Sequence, residues 1–440
     1  MKTLRSLLAI ALLAVSAFAQ EAGTFRKYAD AAASVDKFSG TILVARKGSV
    51  LFQQSYGLAD RQANTPNTDT TTFRIGSMSK PITATAIMVL RDQGKLKLED
   101  SVCAYIPSCP AAWKPITLTH LLTHTSGVPD ITKFPDFMTY RTIGRTPKQL
   151  VDHIAEQSTD FPPGSRFVYS NSNFILLGYV IENLTKLPYE TFLVKNVFEP
   201  AGMTRSGYEE NPKLPSAKGY VREGDTYRDP DLSDMSVRFS AGGLFSTTTD
   251  LMALARALSA GKILKRAKVD EMWTDRGNGY GYGWFVENEN NRRAVGHNGR
   301  IDGFASSFRL FRDEDLFIAV LSNVNGTNTE RMSAALVAIA HGEPFRMPHE
   351  HKFIRVSTKI LDQYTGRYRL PWGLELIVTR DGERLMGRAV QEKNPTEWKP
   401  ESKTQFYVPP ADVEIEFIKD TAGKFTLLFD GTAKAERVGD

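Results

Sequence analysis

The chain has 440 residues, of which 41% are hydrophobic and 24% charged, and its formal net charge is +5 at pH 7. Basic and acidic residues are well mixed along it, which excludes the concentrated positive surface of a nucleic-acid-binding protein. The length and the hydrophobic content are sufficient for two or three folded domains. We therefore expect a globular protein that does not bind nucleic acid.

The first 19 residues have the features of a secretory signal peptide. Lys2 and Arg5 form a basic start, an apolar run follows from Leu7 to Val15, and Ala17 and Ala19 form a small-residue cleavage site. No later apolar run reaches the length of about 18 residues that a membrane helix needs. The sequence thus predicts a periplasmic or secreted protein without stable membrane insertion.

Strands come first in the predicted mature chain, as a hairpin of Thr41 to Ala45 and Val50 to Tyr56. A helix then follows Gly76 and Ser77, because Pro81 fits the first turn of a helix and the run from Ile82 to Leu90 is apolar on nearly every side. Such a helix is expected to be buried.

Ser77 and Lys80 lie three residues apart at the start of this helix, so both side chains fall on the same face. A lysine at the mouth of a buried helix has a lowered pKa or close partners, and a lysine of that kind can act as a base toward serine. The same spacing occurs at Ser34 and at Ser259, but neither of those serines opens a buried helix. Of the three serines, Ser77 is therefore the candidate for a catalytic role, and the alternative is that the pair is purely structural.

Two cysteines, Cys103 and Cys109, occur in a turn-rich stretch of this exported chain. We expect them to form a disulfide, since no second pair of metal ligands lies nearby. His120 and His124 stand four apart and also raise the question of zinc, but a third ligand is not evident. A hydrogen-bonded structural pair is the preferred interpretation, and no metal or cofactor is predicted.

A turn-rich loop carries Tyr169 and Asn171 ahead of an apolar helix, Phe174 to Leu184, and Leu187 to Phe239 is predicted to be a loop-rich insertion. Later strands are predicted at Gly279 to Val286, Arg293 to His297, Ser306 to Phe311 and Leu316 to Ser322, and a closing helix at Met332 to His341. Strands at both ends with helices between them predict an α+β domain with one antiparallel sheet that pairs its first and last strands.

The predicted organisation is a signal peptide at 1–19, a catalytic domain at 20–341, a linker at 342–354 and a β-domain at 355–440. The alternation of Val413, Ile415 and Phe417 indicates one buried face, so the last domain is predicted to be a small barrel or sandwich.

Three motifs in this order resemble the serine β-lactamase and penicillin-binding protein superfamily, in its class C-like branch. They are Ser77 to Lys80, Tyr169 to Asn171, and His297 to Gly299. The resemblance implies an acyl-enzyme on Ser77, with Lys80 and Tyr169 sharing the proton transfers and either one as the base. It further implies an oxyanion site at the N–H groups of Ser77 and Arg300, and substrate contacts from Asn171, Asn298 and Gly299. The C-terminal domain resembles the lipocalin-like domains of such hydrolases.

His297 departs from the penicillin-recognising pattern, in which lysine is usual. Histidine is mostly neutral near pH 7 and binds a carboxylate less well than lysine does. The resemblance then favours an esterase, amidase or D-amino-acid peptidase. A DD-peptidase or weak β-lactamase is the alternative within the same class, and a catalytically silent protein that binds peptides or cell-wall fragments is the alternative outside it.

Overall fold

The computed structural model describes residues 20–208, 213–224, 226–289, 291–370, 373–409, 413–419, 423–429 and 433–439. The predicted signal peptide, Met1 to Ala19, lies outside these residues. The chain divides into two compact units, one ending at Glu343 and the other beginning at Pro344. Each unit has its own hydrophobic core.

A six-stranded antiparallel sheet forms the centre of the first unit, in the order β2-β1-β12-β11-β10-β9. Gly40 on the first strand pairs with Ser322 on the last, as predicted. The α+β prediction is confirmed. The strands of this unit are β1 Gly40–Arg46, β2 Ser49–Tyr56, β3 Leu58–Asp60, β4 Thr65–Pro66, β5 Phe73–Arg74, β6 Tyr220–Glu223, β7 Thr226–Arg228, β8 Phe245–Ser246, β9 Phe285–Glu289, β10 Arg292–Ile301, β11 Phe304–Phe311, β12 Leu316–Ser322 and β13 Val324–Asn325.

Helices pack around this sheet, and most of them belong to the long segment between β5 and β9. They are α1 at residues 20–34, α2 Ser79–Asp92, α3 Leu118–Leu122, α4 Phe137–Tyr140, α5 Pro147–Ala155, α6 Asn171–Thr185, α7 Tyr189–Leu193, α8 Glu199–Ala201, α9 Met235–Gly242, α10 Thr248–Ser259, α11 Arg266–Met272 and α12 Thr329–His341. Single turns of 3₁₀-helix lie at Gly76–Met78, Val102–Ala104, Ala111–Trp113, Ile131–Lys133 and Arg312–Glu314, and a π-helical turn at Val194–Phe198.

Helix α2 is buried along almost its whole length, as its sequence predicts. Every residue from Ser79 to Leu90 is buried, and Pro81 lies in the first turn, where a missing N–H breaks no helical hydrogen bond. Because the helix is apolar on all sides, other elements can surround it, and α6 and α9 both pack against it.

Two sequence predictions need correction. Residues 279–284 are not a strand, and β9 begins only at Phe285. Gly279 and Gly283 have φ values of 67° and 77°, which a strand does not accommodate. The segment from Leu187 onward is also less loop-like than predicted, since α7 and the π-helical turn bury Phe192 and Phe198 in the core.

The second unit is a closed barrel of eight strands, which decides between the barrel and the sandwich. Its closure is made by β14 and β21, where Tyr368 pairs with Arg437. Helix α13, Thr358–Tyr364, precedes the strands. The strands are β14 Gly366–Arg369, β15 Glu375–Asp381, β16 Arg384–Ala389, β17 Thr396–Pro400, β18 Gln405–Val408, β19 Val413–Lys419, β20 Phe425–Phe429 and β21 Ala433–Gly439.

A disulfide joins Cys103 and Cys109, and both residues pack against the core of the first unit. Among the described residues, none of the helices has the length and apolar character needed to cross a bilayer.

Candidate active site

Ser77 lies in the 3₁₀ turn that leads directly into α2. Strand β10 crosses this turn at close range. Two glycines make this crossing possible. A Cβ atom on Gly299 would lie 2.1 Å from the Ile75 carbonyl oxygen and 3.0 Å from the Ser77 nitrogen, and a Cβ on Gly76 would lie 2.9 Å from the Arg300 nitrogen. The backbone nitrogens of Ser77 and Arg300 therefore meet at the same crossing.

The Lys80 side chain is fully buried beside Ser77, and its amine has three oxygen neighbours. Nζ lies 2.8 Å from the Asn171 Oδ1, 2.8 Å from the Ala241 carbonyl oxygen and 3.1 Å from the Ser77 Oγ. The first two oxygens can only accept hydrogen bonds, so they take two N–H groups of the amine. The third position on the Lys80 nitrogen points toward Ser77. It is occupied by an N–H in the ammonium ion and by the lone pair in the free amine.

Burial lowers the pKa of Lys80 from 10.5 to about 7, against the raising effect of the Asp130 carboxylate and with a smaller lowering effect from Arg238. Burial dominates because removing an ammonium ion from water is costly. A substantial fraction of Lys80 is thus the free amine at neutral pH, with its lone pair directed at the serine hydroxyl.

Asn171 is oriented by Asp130, a residue that the sequence analysis did not single out. The Asn171 Nδ2 donates to both carboxylate oxygens of Asp130, at 3.2 and 3.3 Å, and its backbone N–H donates to one of them at 3.2 Å. Because these bonds fix the amide, Oδ1 must face Lys80. A lone aspartate in a loop carries no signal for this role in a single sequence.

The Tyr169 hydroxyl hydrogen-bonds to Ser77, and the Lys80 Nζ lies 4.8 Å from the centre of the tyrosine ring. Burial raises the pKa of Tyr169 well above 10, so the phenol stays protonated near pH 7. The imidazole ring of His124 packs against Tyr169, and the two ring centres are 4.3 Å apart. Its Nδ1 accepts from the Ser170 N–H at 3.2 Å, as the hydrogen-bonded interpretation of this histidine predicts.

The His297 side chain is also buried, and two hydrogen bonds hold it in place. Its Nδ1 lies 2.6 Å from the Asn298 carbonyl oxygen, which only accepts, so Nδ1 carries the proton and Nε2 accepts from the Tyr280 hydroxyl at 3.2 Å. Burial and the nearby Lys80 lower the pKa of His297 to about 3. The imidazole is therefore neutral at physiological pH.

A cleft opens in front of Ser77, which is one of its lining residues. Arg238 contributes a cation to its lining, and this guanidinium shares the Asp302 carboxylate with Arg141, each at 3.4 Å. Arg300 also lines the cleft, and its guanidinium pairs with Glu330 at 3.4 Å. The remaining lining residues are largely apolar or small: Gly76, Ile131, Thr132, Phe137, Asn171, Ile175, Val237, Ala241, Gly242 and Ile301.

The structure brings most of the predicted site residues together around Ser77, but not the Asn298 side chain. That amide donates to Glu330 of α12 at 2.8 Å, because successive residues of a strand face opposite sides of a sheet. Sequence reasoning missed Asp130, Tyr280 and Arg238. Tyr280 lies in a glycine-rich stretch that was interpreted as a strand, so its position beside His297 could not be anticipated.

Comparison with protein families gives a match to the beta-lactamase family over residues 26–343. The chain belongs to this family. It is accordingly a serine hydrolase, and its fold and motifs agree with that membership. Residues 350–436 match a second family, DUF3471, which is described as a domain of unknown function.

Among curated proteins, a penicillin-binding protein of Bacillus subtilis (strain 168) is 30% identical over 429 residues, covering 90% of this chain and 94% of that protein. Among solved structures, the D-stereospecific amidohydrolase from Streptomyces sp. has a TM-score of 0.63 and 25% identity, covering 74% of this chain and 99% of its own. The octameric penicillin-binding protein homologue from Pyrococcus abyssi shares the fold, with a TM-score of 0.67, 24% identity and coverage of 94% and 99%. The chain thus resembles both penicillin-binding proteins and amidohydrolases.

Proposed function

We propose that this protein is an exported serine hydrolase that forms an acyl-enzyme on Ser77 and hydrolyses esters or small amides and peptides. The observation that carries the proposal is the environment of the buried Lys80 amine. Two of its hydrogen-bonding positions face acceptor oxygens, and the third faces the Ser77 hydroxyl at 3.1 Å. This arrangement supports Lys80 as the base, because the free amine needs no rearrangement to accept the serine proton.

In the proposed acylation, the Ser77 Oγ attacks the substrate carbonyl carbon while its proton passes to Lys80. The tetrahedral oxyanion accepts hydrogen bonds from the N–H groups of Ser77 and Arg300. When the bond to the leaving alcohol or amine breaks, that group takes the Tyr169 proton, and the Lys80 ammonium restores the tyrosine. The raised pKa of Tyr169 supports this relay, since a phenol rather than a phenolate stands beside Ser77.

Deacylation follows the same path with water as the nucleophile. Lys80 accepts a proton from water, the hydroxide adds to the acyl carbon, and the released Ser77 oxygen regains a proton through Tyr169 and Lys80. Asn171 takes no proton in this scheme. It holds Lys80 in place and can also contact a substrate amide.

The neutral His297 supports the preference for esters, amides and D-amino-acid peptides over penicillins, because it offers no cation for a carboxylate. Arg238 is the observation that favours the alternative, a DD-peptidase or weak β-lactamase. Arg238 lines the cleft and shares the single Asp302 carboxylate with Arg141, so a substrate carboxylate would find an incompletely balanced cation.

Parallel labelling with a fluorophosphonate and a fluorescent penicillin tests the proposal. Fluorophosphonate labelling alone supports the esterase or amidase, and labelling by both supports a penicillin-recognising enzyme. Labelling by neither contradicts the hydrolase proposal and favours the binding protein. Ser77→Ala should abolish all labelling, whereas Ser34→Ala and Ser259→Ala, at the two other Ser-x-x-Lys sites, should leave it intact.

Export is a part of the proposal that rests on the composition of Met1 to Ala19. Mass spectrometry of the protein recovered from the periplasm or medium should find an amino terminus at Gln20. A cytoplasmic protein that retains Met1 to Ala19 would contradict it.

A further inference from the structure

We propose that His349, His351 and Glu401 form a binding site for a divalent metal ion, with Zn²⁺ as the preferred ion. Each residue offers one ligand atom, and these three atoms lie within 4.8 Å of one another. His351 Nδ1 is 2.7 Å and His349 Nε2 is 3.7 Å from the same Glu401 oxygen, Oε1. All three residues belong to the second unit, and the proposal is independent of the chemistry at Ser77.

The barrel holds two of the ligands in place. Glu401 directly follows β17, and its backbone N–H donates to the Gln405 carbonyl oxygen at 2.9 Å. His351 stacks on Tyr407 of β18, with ring centres 3.7 Å apart and an angle of 18° between the ring planes. A third contact, from the Ile354 N–H to the Pro400 carbonyl oxygen at 2.8 Å, ties the histidine segment to β17.

The charge balance at Glu401 also favours a cation. Its side chain is only 10% exposed, and among the residues that the structure describes its carboxylate pairs with the two imidazoles and with no lysine or arginine. The neighbouring Glu414 lies 3.9 Å from His349 and already pairs with Arg346. A largely buried carboxylate needs a positive partner, and a bound metal ion would supply one.

The donor set matches zinc. Zinc sites commonly combine imidazole nitrogens with a carboxylate oxygen at about 2.0–2.2 Å in a tetrahedral arrangement, which places ligand atoms about 3.3 Å apart. The two histidine–glutamate separations of 2.7 and 3.7 Å lie on either side of that value, and the two histidine nitrogens lie within 4.8 Å of each other, so side-chain rotations would complete the site. Three protein ligands leave a fourth position open for water. The ion would fix residues 349–351 on the barrel.

Isothermal titration of the full chain with ZnCl₂, after treatment with EDTA, tests the site. We expect one zinc ion per chain and a higher melting temperature with zinc than without it, because a ligand that binds only the folded state stabilises it. His349→Gln and Glu401→Gln should each weaken binding at least about tenfold and remove the zinc-dependent rise in melting temperature.

Glu156→Gln is the matched control, since Glu156 lies 3.5 Å from His153 in a histidine–carboxylate pair of the first unit and should not affect zinc binding. Labelling of Ser77 by the fluorophosphonate should stay unchanged in His349→Gln and Glu401→Gln, which separates this proposal from the proposed hydrolase function. The absence of zinc binding, or binding that both variants leave unchanged, would overturn the proposal.

Discussion

At the scale of single residues, the chemistry depends on how burial changes the charge of three side chains. A substantial fraction of Lys80 is the free amine near neutral pH, Tyr169 remains a phenol, and His297 remains a neutral imidazole. Desolvation is the first cause in each case, and it disfavours whichever form is charged. The same physical effect therefore favours the uncharged form of all three side chains, and the proposed proton transfers require a free amine at Lys80 and a phenol at Tyr169.

Replacement of Lys80 by alanine should reduce acylation by several powers of ten while the protein stays folded, because the base is lost but little packing is. In the native enzyme, acylation should increase as the pH rises through about 7, where Lys80 loses its proton, and then level off. Stopped-flow acylation between pH 5.5 and 9 measures both effects. Lys262→Ala, at the exposed lysine that follows Ser259, is the control. Near-native acylation in Lys80→Ala would show that the proton path is wrong.

His297 should make folding stability sensitive to acid. The pKa of His297 is about 3 in the folded state, whereas the ordinary pKa of histidine is 6.5, so between these values the unfolded chain binds a proton that the folded protein does not. The free energy of unfolding should consequently be unaffected by this group above pH 6.5 and fall as the pH decreases below it.

Urea unfolding at pH 7, 6 and 5, with EDTA present, checks this expectation. His297→Gln should be less stable than the native protein at pH 7 but should lose less stability between pH 7 and 5. The exposed His349→Gln serves as the control. An identical pH slope in His297→Gln and the native protein would contradict the assignment.

At the scale of elements, the site forms where the turn before α2 meets strand β10. The closeness of that contact requires glycine on both sides, at Gly76 and Gly299. It brings together two backbone nitrogens that are more than two hundred residues apart in sequence, since Ser77 and Arg300 lie on the two elements that cross. The proposed oxyanion site, which is made of backbone groups, would thus depend on the absence of side chains at these two positions.

Gly299→Ala should reduce acylation by roughly 100-fold or more, which is the effect of losing one oxyanion donor. The new Cβ would lie 2.1 Å from the Ile75 carbonyl oxygen, so the strand must move away from Ser77. Kinetics with a neutral ester and a melting curve, recorded together, separate a displaced site from an unfolded protein. Gly23→Ala is the control, because a Cβ there meets nothing within 4 Å. Near-native kinetics in Gly299→Ala would exclude an oxyanion site at this crossing.

At the scale of the whole molecule, long-range pairing holds the first unit together and ring closure completes the second. Strand β1 pairs with β12 along its full length, so the two ends of the first unit are joined through the sheet. The barrel has its first and last strands paired as well, which removes the free edges that promote aggregation. The Cys103–Cys109 disulfide adds a local crosslink to this architecture.

Reduction of the disulfide should lower the melting temperature by only a few degrees and leave hydrolysis intact. The loop between Cys103 and Cys109 is short, so the chain-entropy model assigns the crosslink about 2 kcal/mol. Thiol titration of unfolded protein from an oxidising compartment should find no free thiol before reduction and two afterwards. Two free thiols before reduction would contradict the bridge.

The amino-acid sequence by itself determined the local features of this protein. The spacing of Ser77 and Lys80 on one helix face, the burial of α2 and the first hairpin all follow from short-range geometry and from the pattern of apolar residues. The order of three short motifs was sufficient to indicate the family. Features of this kind depend on neighbours within one or two turns, which a single sequence displays directly.

Only the tertiary structure decided the pKa values of these residues and which side chains surround them. The lone pair of Lys80 faces Ser77 because Asn171, fixed by Asp130, and the Ala241 carbonyl occupy its other positions. The Tyr280 hydroxyl hydrogen-bonds to His297, and Arg238 lines the cleft. Each of these contacts joins residues at least 17 positions apart in sequence, and the desolvation that shifts each pKa exists only after those segments have packed together.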